Sequence, residues 1–121
     1  MRYLLVLALL CGCPEHGSRP PDAPDPALCL AQLEAALDRT CAVPADCALI
    51  DHGDCCGTVK LGVKLGTEAS ANAAEVEFQT CRACPPLGCA HPDMAEDGQV
   101  AGTGQAIVAT CVSMRCTSVV Q

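Results

Sequence analysis

The chain has 121 residues, of which twelve are cysteine and only two, Tyr3 and Phe78, are aromatic. A cysteine content near a tenth is typical of exported proteins that are stabilised by disulfides. The formal net charge of −7 argues against nucleic acid and anionic lipid surfaces as partners. The scarcity of aromatic residues argues against base-stacking platforms and against an aromatic carbohydrate site. A chain of this length accommodates one small domain with accessory segments.

Residues 1–12 are predicted to form a signal peptide. Arg2 supplies a positive charge, and residues 3–10 form an unbroken apolar run. This run is too short to span a bilayer, but it has the length of the apolar region of a signal peptide. The sequence therefore predicts export of the rest of the chain.

The end of this segment, Leu10-Cys11-Gly12-Cys13, resembles the lipobox of bacterial lipoproteins. In that motif an aliphatic residue and two small residues precede the cysteine that receives the lipid. Cys13 fits better than Cys11 because a small residue, Gly12, precedes it. We therefore expect cleavage before Cys13 and lipidation of its thiol, which would anchor the protein to a membrane through several acyl chains. An ordinary signal peptide and a secreted protein are the alternative.

Residues 13–26 are predicted to be the lipidated cysteine and a proline-rich tether, followed by a disulfide-rich domain over 27–121. Five prolines fall within residues 14–26. Proline fixes φ and favours extended chain, so the tether could hold the domain about 35–40 Å from the lipid.

The domain is predicted to begin with a helix that runs from Pro26 to about Arg39. Asp25 is a favourable N-cap, and proline is favourable at the first helical position. The helix presents one apolar face, formed by Leu30, Leu33, Ala36 and Leu37. We expect Arg39 to lie off that face.

A short strand is predicted at Ala48–Ile50 and a longer alternating strand at Thr58–Leu65. Turn residues Asp51–Asp54 separate them. A second helix is predicted over Ala69–Cys81, with Thr67 as its N-cap.

The last part of the chain is predicted to form a long loop, Cys84–Thr103, and a β-hairpin, Ala106–Val120. Phe78 is expected in the core. Together these elements predict a small disulfide-rich α+β fold, with two short helices and a small antiparallel sheet.

Ten cysteines remain after Cys11 is removed and Cys13 is lipidated, an even number that permits five disulfides. Two at the ends of the first helix, Cys29 and Cys41, would lie about 18 Å apart and cannot pair with each other. Adjacent cysteines, and cysteines one helical turn apart, are expected to have different partners; otherwise the pairing is open. The ten are Cys29, Cys41, Cys47, Cys55, Cys56, Cys81, Cys84, Cys89, Cys111 and Cys116.

The cysteine spacing is similar to that of the eight-cysteine-cluster domain of bacterial lipoproteins. The resemblance covers residues 41–116 and implies a disulfide fold in the cell envelope. That span holds nine cysteines, so at least one departs from the eight-cysteine pattern, and Cys29 or Cys41 would form an extra bridge to the helix. The family carries no established activity, so no functional residue is transferred. The matching elements are Cys41-x5-Cys47, Cys55-Cys56-Gly57, Cys81-x2-Cys84-Pro85, Cys89-Ala90 and Cys111-x4-Cys116.

A zinc site and a redox pair are the chemical alternatives. Cys81, Cys84, Cys89 and His91 could supply four ligands to a zinc ion, but their order does not match established zinc motifs. In an oxidising compartment these thiols are expected to form disulfides instead. Cys81-Arg82-Ala83-Cys84 ends a helix, where the dipole would not lower a thiol pKa.

Three aspartates, Asp46, Asp51 and Asp54, lie around His52 and could indicate calcium binding or acid–base chemistry. They lack the spacing of a calcium-binding loop. Aspartate in turns commonly bonds to nearby backbone N–H groups, which is the role we expect here.

No catalytic constellation is evident, because the serines lie outside nucleophile motifs and every mature cysteine is assigned elsewhere. We therefore expect a non-catalytic envelope lipoprotein without cofactor or metal, anchored to a membrane, with the outer membrane favoured, and able to bind an envelope protein. A module similar to proteinase inhibitors, presenting residues 84–103, and a small metal-binding domain are the alternatives. The serines concerned are Ser70, Ser113 and Ser118.

Overall fold

The computed structural model describes residues 22, 24–85 and 88–121. The predicted signal peptide, Cys13 and most of the predicted tether lie outside these residues. Within these residues, two α-helices, one 3-10 turn and two β-hairpins follow one another. Their bounds are α1 Pro26–Ala36, the 3-10 turn Pro44–Asp46, β1 Cys47–Gly53, β2 Thr58–Lys64, α2 Glu68–Arg82, β3 Ile107–Val112 and β4 Arg115–Val120.

Helix α1 starts where the sequence predicts but ends earlier. Asp25 caps its first turn by accepting a hydrogen bond from the Ala27 N–H at 3.0 Å. The helix ends at Ala36, and Leu37 is already extended, so the prediction that it continues to Arg39 is wrong. An aspartate turn ends it, because Asp38 Oδ1 accepts both the N–H of Thr40 at 3.0 Å and its hydroxyl at 2.8 Å.

The buried face of α1 also differs from the predicted face. Cys29, Leu33 and Leu37 are buried, whereas Leu30 is 46% exposed and Ala36 is exposed. The disulfide from Cys29 to α2 accounts for the difference, because it turns the side of the helix that carries Cys29 towards the core.

The first hairpin, β1–β2, forms the central layer and has the antiparallel register Ile50↔Leu61. Both strands are regular, and β1 extends to Gly53 through residues predicted to form a turn. Side chains alternate between the two faces of a strand, so the buried Ile50, Leu61 and Val63 face one way, towards the helices and Phe78.

Helix α2 packs Ala71 and Phe78 into this core, as predicted for Phe78. Thr67 occupies the N-cap position, but its side chain does not cap the helix. Its hydroxyl instead donates to the Lys64 carbonyl oxygen at 2.7 Å, which ties the start of the helix to the end of β2.

The second hairpin, β3–β4, is closed by a two-residue turn in which Ser113 and Met114 both have positive φ, 49° and 60°. Such turns match the twist of the flanking strands. The hairpins form two separate two-stranded sheets in contact through Gly62, whose Cβ, if present, would lie 2.4 Å from the Thr117 nitrogen. Two helices and two antiparallel hairpins confirm the predicted α+β fold.

The segment predicted as a long loop contains no helix or strand in its described residues, 84–85 and 88–103. It is nevertheless held to the domain. Met94 forms isolated bridges with Val59 and Val100, and Ala95 is buried. This anchoring reduces the freedom of the segment to act as a presented inhibitor loop.

Candidate functional site

All ten predicted cysteines form five disulfides that connect the layers of the domain. Cys55 and Cys56 bond to different partners, as do Cys81 and Cys84, and Cys29 does not pair with Cys41. The pairs are Cys29–Cys81, Cys41–Cys111, Cys47–Cys116, Cys55–Cys84 and Cys56–Cys89.

These pairs bear directly on the zinc and redox alternatives. The three cysteines of the zinc alternative, Cys81, Cys84 and Cys89, belong to three different disulfides. A second group, Cys41, Cys47 and Cys116, brings its sulfurs within 4.8 Å of one another, but these sulfurs also belong to disulfides. Because the thiolate is the metal ligand, neither group can bind zinc without first being reduced, and Cys81 and Cys84 do not form a disulfide with each other.

The aspartates around His52 act separately. Asp46 Oδ2 accepts the N–H groups of Ala42 and Val43 at 2.8 and 3.0 Å, and these bonds lower the pKa of Asp46. Asp51 pairs with Lys60, with 2.6 Å between Oδ1 and Nζ. The turn role is therefore found for Asp46, whereas Asp51 is an exposed ion-pair partner.

A groove of about 440 Å³ lies beside Asp46 and is lined by Thr40, Ala42, Lys64 and Leu65, among others. Its charged groups already have partners, since Asp46 caps the preceding turn and Lys64 Nζ lies 3.7 Å from Asp38 Oδ2. Ligand sites combine an apolar wall with polar groups that converge on the ligand. The polar groups here bond to the domain itself, so we place no ligand in this groove.

His52 faces α2 rather than the aspartates. Its Nδ1 lies 2.9 Å from Glu75 Oε2, and its ring centroid lies 4.9 Å from that of Phe78. The other Glu75 oxygen accepts the Gly53 N–H at 3.0 Å, and Gln79 Nε2 donates to the Gly53 carbonyl oxygen at 2.9 Å. The cluster fixes the end of β1 against α2.

A histidine oriented by a carboxylate is also part of hydrolytic triads, which require a nucleophile on the other ring nitrogen. Two of the serines considered above bond elsewhere: the Ser70 hydroxyl donates to the Thr67 carbonyl oxygen at 2.8 Å, and the Ser118 hydroxyl donates to the Lys60 carbonyl oxygen at 2.5 Å. We therefore assign His52 and Glu75 the structural role of holding β1 against α2, and we assign them no catalytic role.

A buried arginine lies between the two hairpins. Arg39, predicted to lie off the apolar face, is 6% exposed. Its Nε and Nη2 donate to the Cys116 carbonyl oxygen at 3.1 and 2.9 Å, and Nη2 forms an ion pair with Glu96. The second Glu96 oxygen accepts the N–H groups of Gly62 and Ser118, each at 3.0 Å. One carboxylate thus holds β2, β4 and Arg39 together.

The turn between β1 and β2 is closed by an aspartate–histidine pair. Asp54 Oδ1 accepts the N–H groups of Cys56 and Gly57, each at 2.9 Å, and its Oδ2 lies 2.7 Å from His91 Nε2. His91 Nδ1 lies 2.7 Å from the Pro92 carbonyl oxygen. A β-carbon at position 57 would lie 2.6 Å from the His91 ring, so Gly57 permits this contact.

The two groups favour each other's charged form. Hydrogen bonds to the Pro92 carbonyl oxygen and to Asp54 raise the pKa of His91 above its usual value of 6.5. The Cys56 N–H, with a further contribution from His91, lowers the pKa of Asp54 below its usual value of 3.8. Both ring nitrogens of His91 therefore face acceptors, and the imidazolium satisfies both.

We expect this pair to make stability depend on pH. Because the pKa of His91 is raised on folding, its contribution is complete below about pH 6.5 and is lost as the pH rises through the folded-state pKa. The lowered pKa of Asp54 gives a contribution that is lost as the pH falls below about 3.8. Urea unfolding of the native chain and of His91→Gln should show a difference in stability that shrinks from pH 6 to pH 9. A difference that stays constant across this range would contradict the assignment.

The β3–β4 hairpin differs from the rest of the domain in the charge of its surface. All fourteen acidic residues of the chain precede residue 98, and Arg115 is the one charged side chain within 98–121. The end of the hairpin is apolar and exposed, since Met114 is 78% and Val112 53% exposed. The sequence predicted the hairpin, but this surface was not predicted. The signal that would have indicated it is the uncharged stretch after Asp97.

No family model, curated protein or solved structure matches this chain. The resemblance to the eight-cysteine-cluster domain therefore stays a prediction. Among the described residues, no helix is both long and apolar enough to cross a membrane.

Proposed function

We propose that the protein is a non-catalytic, lipid-anchored binding module of the bacterial cell envelope. Five disulfides indicate that the domain folds in an oxidising compartment outside the cytoplasm. The predicted signal peptide, the cysteine at position 13 and the proline-rich tether support export followed by anchoring. The cysteine pattern similar to bacterial lipoprotein domains supports the same location.

The observation that carries the binding role is the way the β3–β4 hairpin is held. Cys111 and Cys116 stand opposite each other next to the turn and bond to Cys41 and Cys47. The exposed Met114 therefore lies at the end of a hairpin cross-linked at its outer end. A surface fixed before association loses less conformational entropy on binding, and exposed apolar groups on such a surface favour protein partners.

The anchor is tested by substituting each candidate cysteine. In bacterial cells, the native chain and Cys11→Ser are expected to sediment with the membrane and to carry acyl chains on Cys13 by intact mass. Cys13→Ser is expected to lack the acyl mass and to leave the membrane fraction, because the acceptor thiol is gone. Loss of anchoring in Cys11→Ser but not in Cys13→Ser would reassign the lipid, and absence of acyl mass from the native chain would overturn the lipoprotein proposal.

The binding role is tested at the hairpin end. A photoreactive amino acid at position 114 is expected to cross-link a protein of the envelope, whereas the same group at Val76, which is also well exposed, at 67% on α2, is not. Equal yields of adduct at both positions, or no adduct at either position, would contradict a binding surface at the hairpin.

A further inference from the structure

The outer edge of β3 is an open strand edge. Ala106 and Gln121 exchange two backbone hydrogen bonds, at 2.8 and 2.9 Å. Hydrogen-bonded and non-bonded pairs alternate along antiparallel strands. In the observed register, the N–H and C=O groups of Ile107, Ala109 and Cys111 therefore point away from β4.

The outer edges of β4 and β2 are covered. On β4, the N–H of Cys116 donates to the Arg39 carbonyl oxygen at 2.7 Å, and that of Ser118 donates to Glu96. On β2, Lys60 and Lys64 donate to the carbonyl oxygens of Met94 and Asp38, each at 2.8 Å.

The outward N–H groups of β3 differ in this respect from those of β2 and β4. Among residues 22, 24–85 and 88–121, no backbone or side-chain group bonds to the outward N–H groups of Ile107, Ala109 and Cys111. An open edge of this kind is a template for a further strand.

The sequence of β3 does nothing to prevent such pairing. Natural edge strands are protected by lysine, proline, bulges or inward charges. Strand β3 reads IVATCV, with neither charge nor proline, and its paired strand is continuous from Ile107 to Val112 without a bulge. Its residues are largely β-branched, which suits a sheet. The strand is thus built to accept a neighbour.

The charge distribution favours a second copy of this chain as that neighbour. With a net charge of −7, two copies repel each other across most orientations. The β3–β4 hairpin, which lacks acidic side chains, is where two copies can meet without opposing carboxylates. An antiparallel strand of the same sequence presents the same uncharged side chains.

We propose that two copies of the protein associate through their β3 strands, which pair antiparallel about a two-fold axis at Ala109. Ala109 then lies opposite Ala109 of the second copy, and Ile107 lies opposite its Cys111. Each such pair exchanges two N–H···O bonds, and the two hairpins become one four-stranded sheet, β4-β3-β3-β4. The proposal goes beyond the binding role proposed for Met114, because it uses the edge of the same hairpin and not its turn, and it is independent of the anchor at Cys13.

The test uses the Cys13→Ser variant with its disulfides intact, so that an attached lipid does not drive association. Sedimentation velocity is expected to show a monomer–dimer equilibrium. Ala109→Pro removes the outward N–H without removing a β3–β4 bond, and it should weaken the dimer at least about tenfold. Intact mass showing five disulfides, together with a cooperative urea unfolding transition, establishes that each variant is folded.

A matched pair of lysine variants keeps the test independent of the proline. Thr110 and Thr117 are opposite each other on one face. Thr110→Lys places like charges near the two-fold axis and should also weaken the dimer about tenfold. Thr117→Lys adds the same charge on β4 and should change the dissociation constant by less than about threefold.

Hydrogen exchange identifies the surface that is used. The amides of Ile107, Ala109 and Cys111 should exchange more slowly as the protein concentration rises. A monomer up to about 1 mM, or a dimer insensitive to Ala109→Pro and Thr110→Lys, would overturn the proposal. Protection that does not vary with concentration would also overturn it, because it would place another segment of the same chain on the edge. A monomer protected only when another envelope protein is added would assign the edge to that partner instead.

Discussion

Replacing Cys47 and Cys116 together by alanine is expected to lower the free energy of unfolding by about 4 kcal/mol. The neighbouring Cys41–Cys111 bridge already joins the two ends of this span, so the Cys47–Cys116 bridge closes only about 11 further residues, which restricts the unfolded chain by about 3 kcal/mol on the entropic account. Cys116 is also fully buried, so truncation leaves a cavity between the hairpins. A small domain has about 5–15 kcal/mol in total, so this loss removes roughly a quarter or more of its stability.

The control is the double replacement of Cys55 and Cys84, whose bridge closes only about 6 further residues because the neighbouring Cys56–Cys89 bridge remains. The same account gives a smaller loss, about 2 kcal/mol, and no fully buried sulfur is removed. Urea unfolding under non-reducing conditions measures both variants. A loss below about 1 kcal/mol for the Cys47 and Cys116 variant, or a larger loss for the control, would show that loop closure and burial do not set the contribution of this bridge.

Replacing Arg39 by methionine is expected to cost about 3–5 kcal/mol, because it leaves the Glu96 carboxylate without its cation in a largely buried place. Arg39 and Glu96 have side-chain exposures of 5% and 19%. Methionine fills most of the volume of the arginine stem, so the loss reports the charge and hydrogen bonds rather than a cavity.

A double-mutant cycle separates the pair from its surroundings. Glu96→Gln retains an oxygen that can accept the N–H groups of Gly62 and Ser118, but it removes the charge. If the ion pair dominates, Arg39→Met should cost less in the Glu96→Gln background than in the native chain, by at least about 1 kcal/mol. Additive losses in urea unfolding would show that the bonds from Arg39 to the Cys116 carbonyl oxygen carry the effect instead.

Local sequence signals predicted the elements well. Asp25-Pro26 marked the start of α1, alternation marked β2, and the apolar residues on either side of residues 113–115 indicated the hairpin. The even number of cysteines predicted five bridges, and adjacency and helix spacing predicted which pairs would not form. The actual pairing depends on which elements pack together, and this is a tertiary property that spacing alone leaves open.

The misplacement of Arg39 has a specific cause. The apolar spacing of α1 continues through Leu37, and it hid the stronger signal of Asp38 followed two residues later by Thr40, which makes a turn. Once the chain leaves the helix at Leu37, Arg39 points between the hairpins. Its partner Glu96 lies 57 residues away in a segment without regular structure, where nothing in the sequence marks a buried acid.

The connectivity of the disulfides bears on how the protein is made. Every bridge joins a cysteine at or before residue 56 to one at or after residue 81. During synthesis from the N-terminus, five domain cysteines therefore emerge before any of their native partners. Early oxidation can pair them only with one another or with Cys13, always incorrectly. Maturation thus depends on delayed oxidation or on thiol–disulfide exchange, a reshuffling that takes seconds to hours and in which each misplaced bond is attacked by a free thiolate.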